Sequence, residues 1–340
     1  PSIVSRFSSP MLLSSRSPTV RLSVGIRLVV LLVALAGCGR STGQQSETAR
    51  PDLTDRKLRV VVTTNIIGDL VRQVAGDRVD LTTLMGPGVD PHLYKASEGD
   101  VQRMAAADLV LYNGLHLEGK MTEVFAQMEG RSGVTTAALA ETSVPDSLLI
   151  SSTEYASNYD PHVWFDVALW RRVAQQTGEI LARLDTANAE AYRSNARAYA
   201  DTLTGLDASV AERFERVPPA QRVLVTSHDA FRYLGRAYDV EVRGLQGIST
   251  TSEAGARDVQ NLATFIADRR IPAIFVETSV SPRGIRAVRE AVRSKGFNVE
   301  IGGTLYGDAL GNRGTPEGTY TGAVRHNVDT IVGGLLPEAL

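Results

Sequence analysis

From residue 58 onward, short apolar runs alternate with amphipathic stretches, and the period of the apolar positions changes at each boundary. Residues 58–63 (LRVVVT) form a continuous β-branched run, the pattern of a strand buried on both faces. The spacing then predicts a helix over 66–75, a strand over 79–84, a helix over 97–106 and a short buried strand over 109–112. Such alternation favours a parallel sheet covered by helices. Between 166 and 217 nothing reads as a strand. There Tyr192, Ala196, Tyr199, Leu203, Leu206, Val210 and Phe214 recur every three or four residues, one stripe of a long helix that stops before Pro218 and Pro219. Strand patterns resume at 222–226 (RVLVT), 240–245, 273–277 (AIFVE) and 299–304. The expected fold is α/β: two parallel-sheet lobes, over 57–185 and 218–340, joined by one long rigid helix over 186–217.

The amino-terminal stretch follows a different rule. The first 46 residues hold no Asp or Glu but include Arg6, Arg16, Arg21 and Arg27, followed by the apolar run 28–37 (LVVLLVALAG) and Cys38. A basic start, a short apolar run and small residues form an export signal. About ten apolar residues are half of the ~20 needed to span a bilayer, so a permanent membrane helix is not expected. Cys38 is the sole cysteine and has no internal disulfide partner. Residues 35–38 (LAGC) resemble the bacterial lipobox, which makes Cys38 the expected lipidated first residue of the mature chain. Residues 38–56 then read as a polar tether. Pro1 is not an initiator and Met11 is the first methionine, so the opening residues are expected to lie upstream of the true start.

The 340 residues are 43% hydrophobic and 22% charged, ordinary for a globular protein. Removing 1–37 takes away four arginines and no acid, moving the formal charge from −2 to −6. Lys and Arg are scattered, so no nucleic-acid partner is expected.

The chemistry concentrates in three of five histidines. Asp-Pro-His occurs twice, at 90–92 and 160–162, and each proline stiffens the bend that carries His92 or His162. His228 follows RVLVT, Glu277 ends AIFVE, and Asp308 follows the strand pattern near Leu305. Strand ends are where open α/β sheets bind ligands. Three imidazoles and one carboxylate complete a four-coordinate site for a borderline transition metal. Asp308 is the expected anionic ligand, with a helix N-cap as its ordinary alternative. Glu277 is either a further ligand or the outer partner of a histidine. Asp90 and Asp160 are expected to brace their turns, and Tyr94 and Trp164 to anchor the core. His116, flanked by leucines near a possible cleft rim, reads as structural, and His326 as a surface residue of the last helix.

At this point a resemblance becomes specific. VDPHLYKASEGDV, YNGLHLEGKM, YDPHVWFD, VTSHDAFRYLG, GISTTSEA, FVETSVSP and LYGDALG occur in the order of the motifs of TroA-like zinc/manganese solute-binding proteins of ABC importers, from about residue 58 to the end. The resemblance implies two α/β lobes joined by a rigid helix and a metal in the inter-lobe cleft. It places the ligands on His92, His162, His228 and Asp308. It also implies delivery to a membrane permease with a separate ATPase, by a lipid-anchored exported monomer. Two departures stand out: Gly307 replaces a common Ser or Thr, and Lys95 a common Glu.

The zinc-specific branch carries a His-rich loop, whereas residues 121–158 contain no histidine. Three imidazoles still favour zinc over manganese on intrinsic affinity. The expected cargo is therefore one divalent transition metal, zinc ahead of manganese. The alternative is a zinc-dependent hydrolase using three histidines and a bound hydroxide, with Glu277 promoted to general base. No His-Glu-x-x-His helix supports it.

Overall fold

A computed structural model describes residues 51–153 and 155–336. The export segment, Cys38 and most of the tether lie outside these residues. Among the described residues no helix is long and apolar enough to cross a membrane.

The first lobe is built on four parallel strands, β1 (Leu58–Val62), β2 (Val79–Thr83), β3 (Leu109–Tyr112) and β4 (Thr135–Ala138), in the order β2-β1-β3-β4. Its helices are α1 (Asn65–Ala75), α2 (Glu98–Ala105), α3 (Thr122–Glu129) and the short α4 (Leu139–Ser143). The helix starts are locally encoded. The Thr64 hydroxyl accepts from the Ile67 N–H, and Ser97 and Asp100 cap one another reciprocally at α2. The hydrophobic pattern does not announce β4. Its sequence, TTAA, has no apolar run and becomes a strand by pairing with β3.

The second lobe contains two parallel pairs. β5 (Val223–His228) pairs with β6 (Glu241–Gln246), and β7 (Ala273–Glu277) pairs with β8 (Glu300–Leu305). β5 lies against β7, which brings the carboxyl ends of two predicted strands together. Helices α7 (Arg232–Tyr238), α8 (Ala256–Arg269), α9 (Arg283–Ser294) and α10 (Tyr320–Leu335) surround them.

Between the lobes run α5 (Val167–Leu184) and the 27-residue α6 (Ala189–Glu215). At 1.5 Å per residue α6 extends about 40 Å. All seven residues of the predicted stripe are buried. Helix α6 packs against α1, α5, α7 and α10. One apolar cluster therefore runs from Leu58 and Leu70 through Tyr192 and Phe214 to Phe275 and Ile331. Satellite cores lie under the outer faces of each lobe. A shared core of this kind resists separation of the lobes, because opening would expose packed apolar surface.

Candidate metal centre

The strand ends come first. The order β2-β1-β3 places a topological switch point between β1 and β3, where an open sheet leaves a crevice. The buried Glu118 carboxylate ties that point together. It accepts from the Thr63 hydroxyl at 2.7 Å and from the Asn113 N–H at 2.8 Å. Asn113 in turn donates through Nδ2 to the Pro161 carbonyl at 3.0 Å, fixing the turn that carries His162.

Both Asp-Pro-His turns fold alike. The backbone N–H of His92 donates to Asp90 Oδ1 at 2.9 Å, and that of His162 to Asp160 Oδ1 at 3.0 Å. The bracing role expected of the two aspartates is thus observed. Asp160 does more than brace, since its Oδ1 also lies 2.8 Å from His162 Nδ1. This leaves Nε2 of His162 to face inward. His228, the last residue of β5, is held in the same way. Glu277 Oε1 accepts its backbone N–H at 2.9 Å, and Glu277 Oε2 lies 2.8 Å from its Nδ1. Carboxylate partners on Nδ1 fix the tautomer that offers Nε2 to a metal.

The three Nε2 atoms and the Asp308 carboxylate converge. One ligand atom from each of His92, His162, His228 and Asp308 lies within 4.8 Å of the other three, and all four residues are buried. His92 Nε2 and His162 Nε2 are 3.3 Å apart, and His228 Nε2 and Asp308 Oδ2 are also 3.3 Å apart. Asp308 Oδ1 is 3.5 Å from His162 Nε2, and Oδ2 is 3.8 Å from His92 Nε2. A tetrahedral ion with bonds of about 2.0–2.1 Å separates its ligands by about 3.3–3.4 Å. Both Asp308 oxygens are buried without a hydrogen-bond partner. An unpartnered buried carboxylate is costly, and a cation among the four groups removes the cost. Glu277 lies outside the four-atom group and sits behind His228.

Burial dominates at His92 and pushes its imidazole down to about 3, so the ring is neutral and needs no deprotonation to bind. Burial also opposes charge on His228, but the Glu277 and Asp308 carboxylates outweigh it and hold the ring well above its ordinary 6.5. The same opposition acts on Asp308: burial raises it, and the three imidazoles, His228 foremost, hold it far below the usual carboxylate range.

Several contacts that fasten the site were not legible in the sequence. Thr250 Oγ1 donates to Asp90 Oδ2 at 2.5 Å, linking the GISTTSEA loop to the His92 turn. The Asn65 side chain accepts from the Leu310 N–H at 2.9 Å and donates to the Leu310 carbonyl at 3.0 Å. Trp164 packs edge-on to His162, 5.1 Å between centroids, and donates to the Gly307 carbonyl. It is a core anchor, as expected, and also a site contact. Tyr94 donates to Asp100 at 2.8 Å, at the start of α2. His326 lies in α10, with Nε2 3.0 Å from the Thr304 carbonyl. His116 does line the cleft rim, but its imidazole is exposed while the leucines beside it are buried.

Fold and site together define a solute-binding protein of the metal-importer type. Residues 60–334 match the family described as "Zinc-uptake complex component A periplasmic", and the chain belongs to it. Family members are solute-binding proteins, not enzymes. Among its relatives, the zinc-binding protein TroA of Treponema pallidum (strain Nichols) is 47% identical over 307 residues, covering 90% of this chain and 96% of the relative. The manganese-binding lipoprotein MntA of Bacillus subtilis (strain 168) is 44% identical over 309 residues, with 90% and 97% covered. The solved periplasmic zinc-binding protein TroA from Treponema pallidum superposes with a TM-score of 0.79 at 49% identity, over 82% of this chain and 99% of that one. The hydrolase alternative is unsupported: both oxygens of Glu277 are turned to His228, which leaves neither free to act as a general base.

Proposed function

We propose that this chain captures a single divalent transition metal through His92, His162, His228 and Asp308 and delivers it to the permease of an ABC importer with a separate ATPase. The observation that carries the reading is the buried, unpartnered Asp308 carboxylate facing three inward-turned Nε2 atoms. Four protein ligands leave no position for an activated water, so the chain holds its ion without turnover. Glu277 and Asp160 act as outer partners that orient His228 and His162.

Zinc is the preferred cargo. Three imidazoles and ligand separations near a tetrahedral edge suit it, whereas manganese is the weaker binder in the divalent series. Relatives named for each metal stand at similar identity, so the chain's own donors decide the preference. Cys38 carries the lipid anchor on the outer side of the membrane, residues 38–56 form the tether, and the folded monomer comprises lobes over 57–185 and 218–340 with the connecting helix between. Elemental analysis of protein from its natural compartment, paired with competitive zinc and manganese titrations, tests the assignment. One equivalent of metal, lost in Asp308→Asn, is expected. Retention of a full equivalent by that variant would overturn it.

A further inference from the structure

Helix α9 carries a charge pattern that its own stability does not call for. Its sequence, RGIRAVREAVRS, buries Ile285, Val288, Ala291 and Val292 in the second lobe. At about 100° per residue, Arg283, Arg286, Arg289 and Arg293 fall within about 120° of one another on the opposite side. Arg283, Arg286 and Arg293 are exposed, with no ion-pair partner among the described residues, and Arg289 meets Glu290 at 3.3 Å at the surface. From residue 278 to residue 300 the only acids are Glu290 and Glu300, against five Lys and Arg. Lys295 and Arg270, the latter 5.6 Å over the half-buried Phe297 ring, add cations at the end of the helix. The first turn is the least expected part. Helices α2, α3, α6 and α8 each carry an acid there, which the helix dipole favours, whereas α9 carries Arg283 and Arg286 and no acid. The positive end of the dipole disfavours both, so local energetics do not account for them. Solubility does not either, since a mature chain of formal charge −6 is already charged enough.

We infer that the α9 stripe rests on an anionic phospholipid surface and orients the tethered protein on its membrane. The inference takes from the proposed function only the lipid on Cys38. A flexible tether over 39–56 has a root-mean-square reach of about 25 Å, so the folded body meets the headgroup plane repeatedly. Each meeting brings the stripe within the Debye length of about 8 Å. Headgroup phosphates repeat across a plane and attract positive charge spread along a line. Four arginines over three turns of helix supply that line without a pocket. The stripe also starts in a useful place. α9 follows the loop after β7, whose last residue, Glu277, stands behind His228. Contact along the stripe therefore keeps the metal-bearing edge of the second lobe beside the membrane, within reach of a permease.

The test uses the whole mature chain with Cys38→Ser, which removes the lipid and leaves charge as the attachment. It is mixed with vesicles of phosphatidylcholine containing about one-third phosphatidylglycerol. Cosedimentation is expected at low salt, but not on phosphatidylcholine alone, nor at about 1 M salt, where the Debye length falls to about 3 Å. Adding Arg283→Gln/Arg286→Gln/Arg293→Gln should weaken vesicle binding about 100-fold, at about fivefold per charge. That variant should still take up one equivalent of zinc and melt no lower than its parent, because two of the three charges leave a helix N-terminus. The matching triple Lys variant should bind as the parent does, since a headgroup plane responds to charge and not to the guanidinium fork. Undiminished binding by the Gln variant, or no binding of the parent to anionic vesicles at low salt, overturns the inference. Loss of binding in the Lys variant also overturns it, and marks instead a bidentate carboxylate partner such as an acidic protein face. Vesicle binding needs neither lipid nor metal, so its failure leaves the proposed function standing, and a failed zinc titration leaves the stripe standing.

Discussion

Replacing Glu277 by Gln separates an outer partner from a metal ligand and puts a magnitude on the difference. The carboxylate receives the backbone N–H of His228 on one oxygen and faces Nδ1 on the other, at 2.9 and 2.8 Å. An amide of the same shape has one oxygen and one NH₂, so it satisfies only one of the two. If the NH₂ faces Nδ1, the imidazole adopts the other tautomer and its proton moves to Nε2, where the metal belongs. If the oxygen faces Nδ1, the NH₂ opposes the backbone N–H, at about 1–3 kcal/mol for a buried mismatch. Loss of an outer carboxylate typically lowers metal affinity 10–100-fold, or about 1.4–2.7 kcal/mol. The same change removes the largest influence raising His228, so proton competition weakens and the deficit should narrow as pH falls. Competition against a chromophoric chelator at pH 8 and pH 6 reads both effects. A loss of more than about four orders of magnitude, or an identical deficit at both pH values, refutes the outer-partner geometry.

Further outcomes follow from the same contacts. For the unmodified protein, metal displaces one proton from His228, so affinity should rise about tenfold per pH unit through neutrality and level off only at the raised value of that ring; a profile flat from pH 5 to 8 contradicts this. Asp308→Asn removes the anionic ligand and should cost about 3–5 kcal/mol of metal binding, two to four orders of magnitude in a competitive titration. At Gly307 a Cβ would collide with Oε2 of Glu277, so Gly307→Ala should displace that carboxylate and weaken metal binding about tenfold, with no loss if the glycine is incidental. Because one apolar core spans both lobes, scattering curves of apo and loaded protein should nearly coincide, and a large compaction would contradict the shared core.

How much of this was readable in advance depended on the range of each interaction. Strands such as 273–277 and the stripe from Tyr192 to Phe214 were visible because burial imposes a local period. The two Asp-Pro-His turns were visible because proline acts on its own neighbour. β4 was not, since only pairing with β3 makes TTAA extended. Thr250 bonding Asp90 across 160 residues, or Asn65 bonding Leu310 across 245, leaves no trace in any periodicity. Nor could composition decide on which side of His228 the Glu277 carboxylate would fall. That choice is made by β5 and β7 lying side by side, a product of the whole second lobe.

The Asn65–Leu310 pairing couples the segment that bears Asp308 to the seam between the lobes. The chain segment that bears Asp308 is fastened to the start of α1, in the opposite lobe, by two hydrogen bonds. Movement at the seam between the lobes therefore reaches the anionic donor through Leu310 and the His92 turn through the Thr250–Asp90 bond. If the carboxylate were drawn away, a bound ion would be left to three uncharged rings, a weaker hold than the complete set of four.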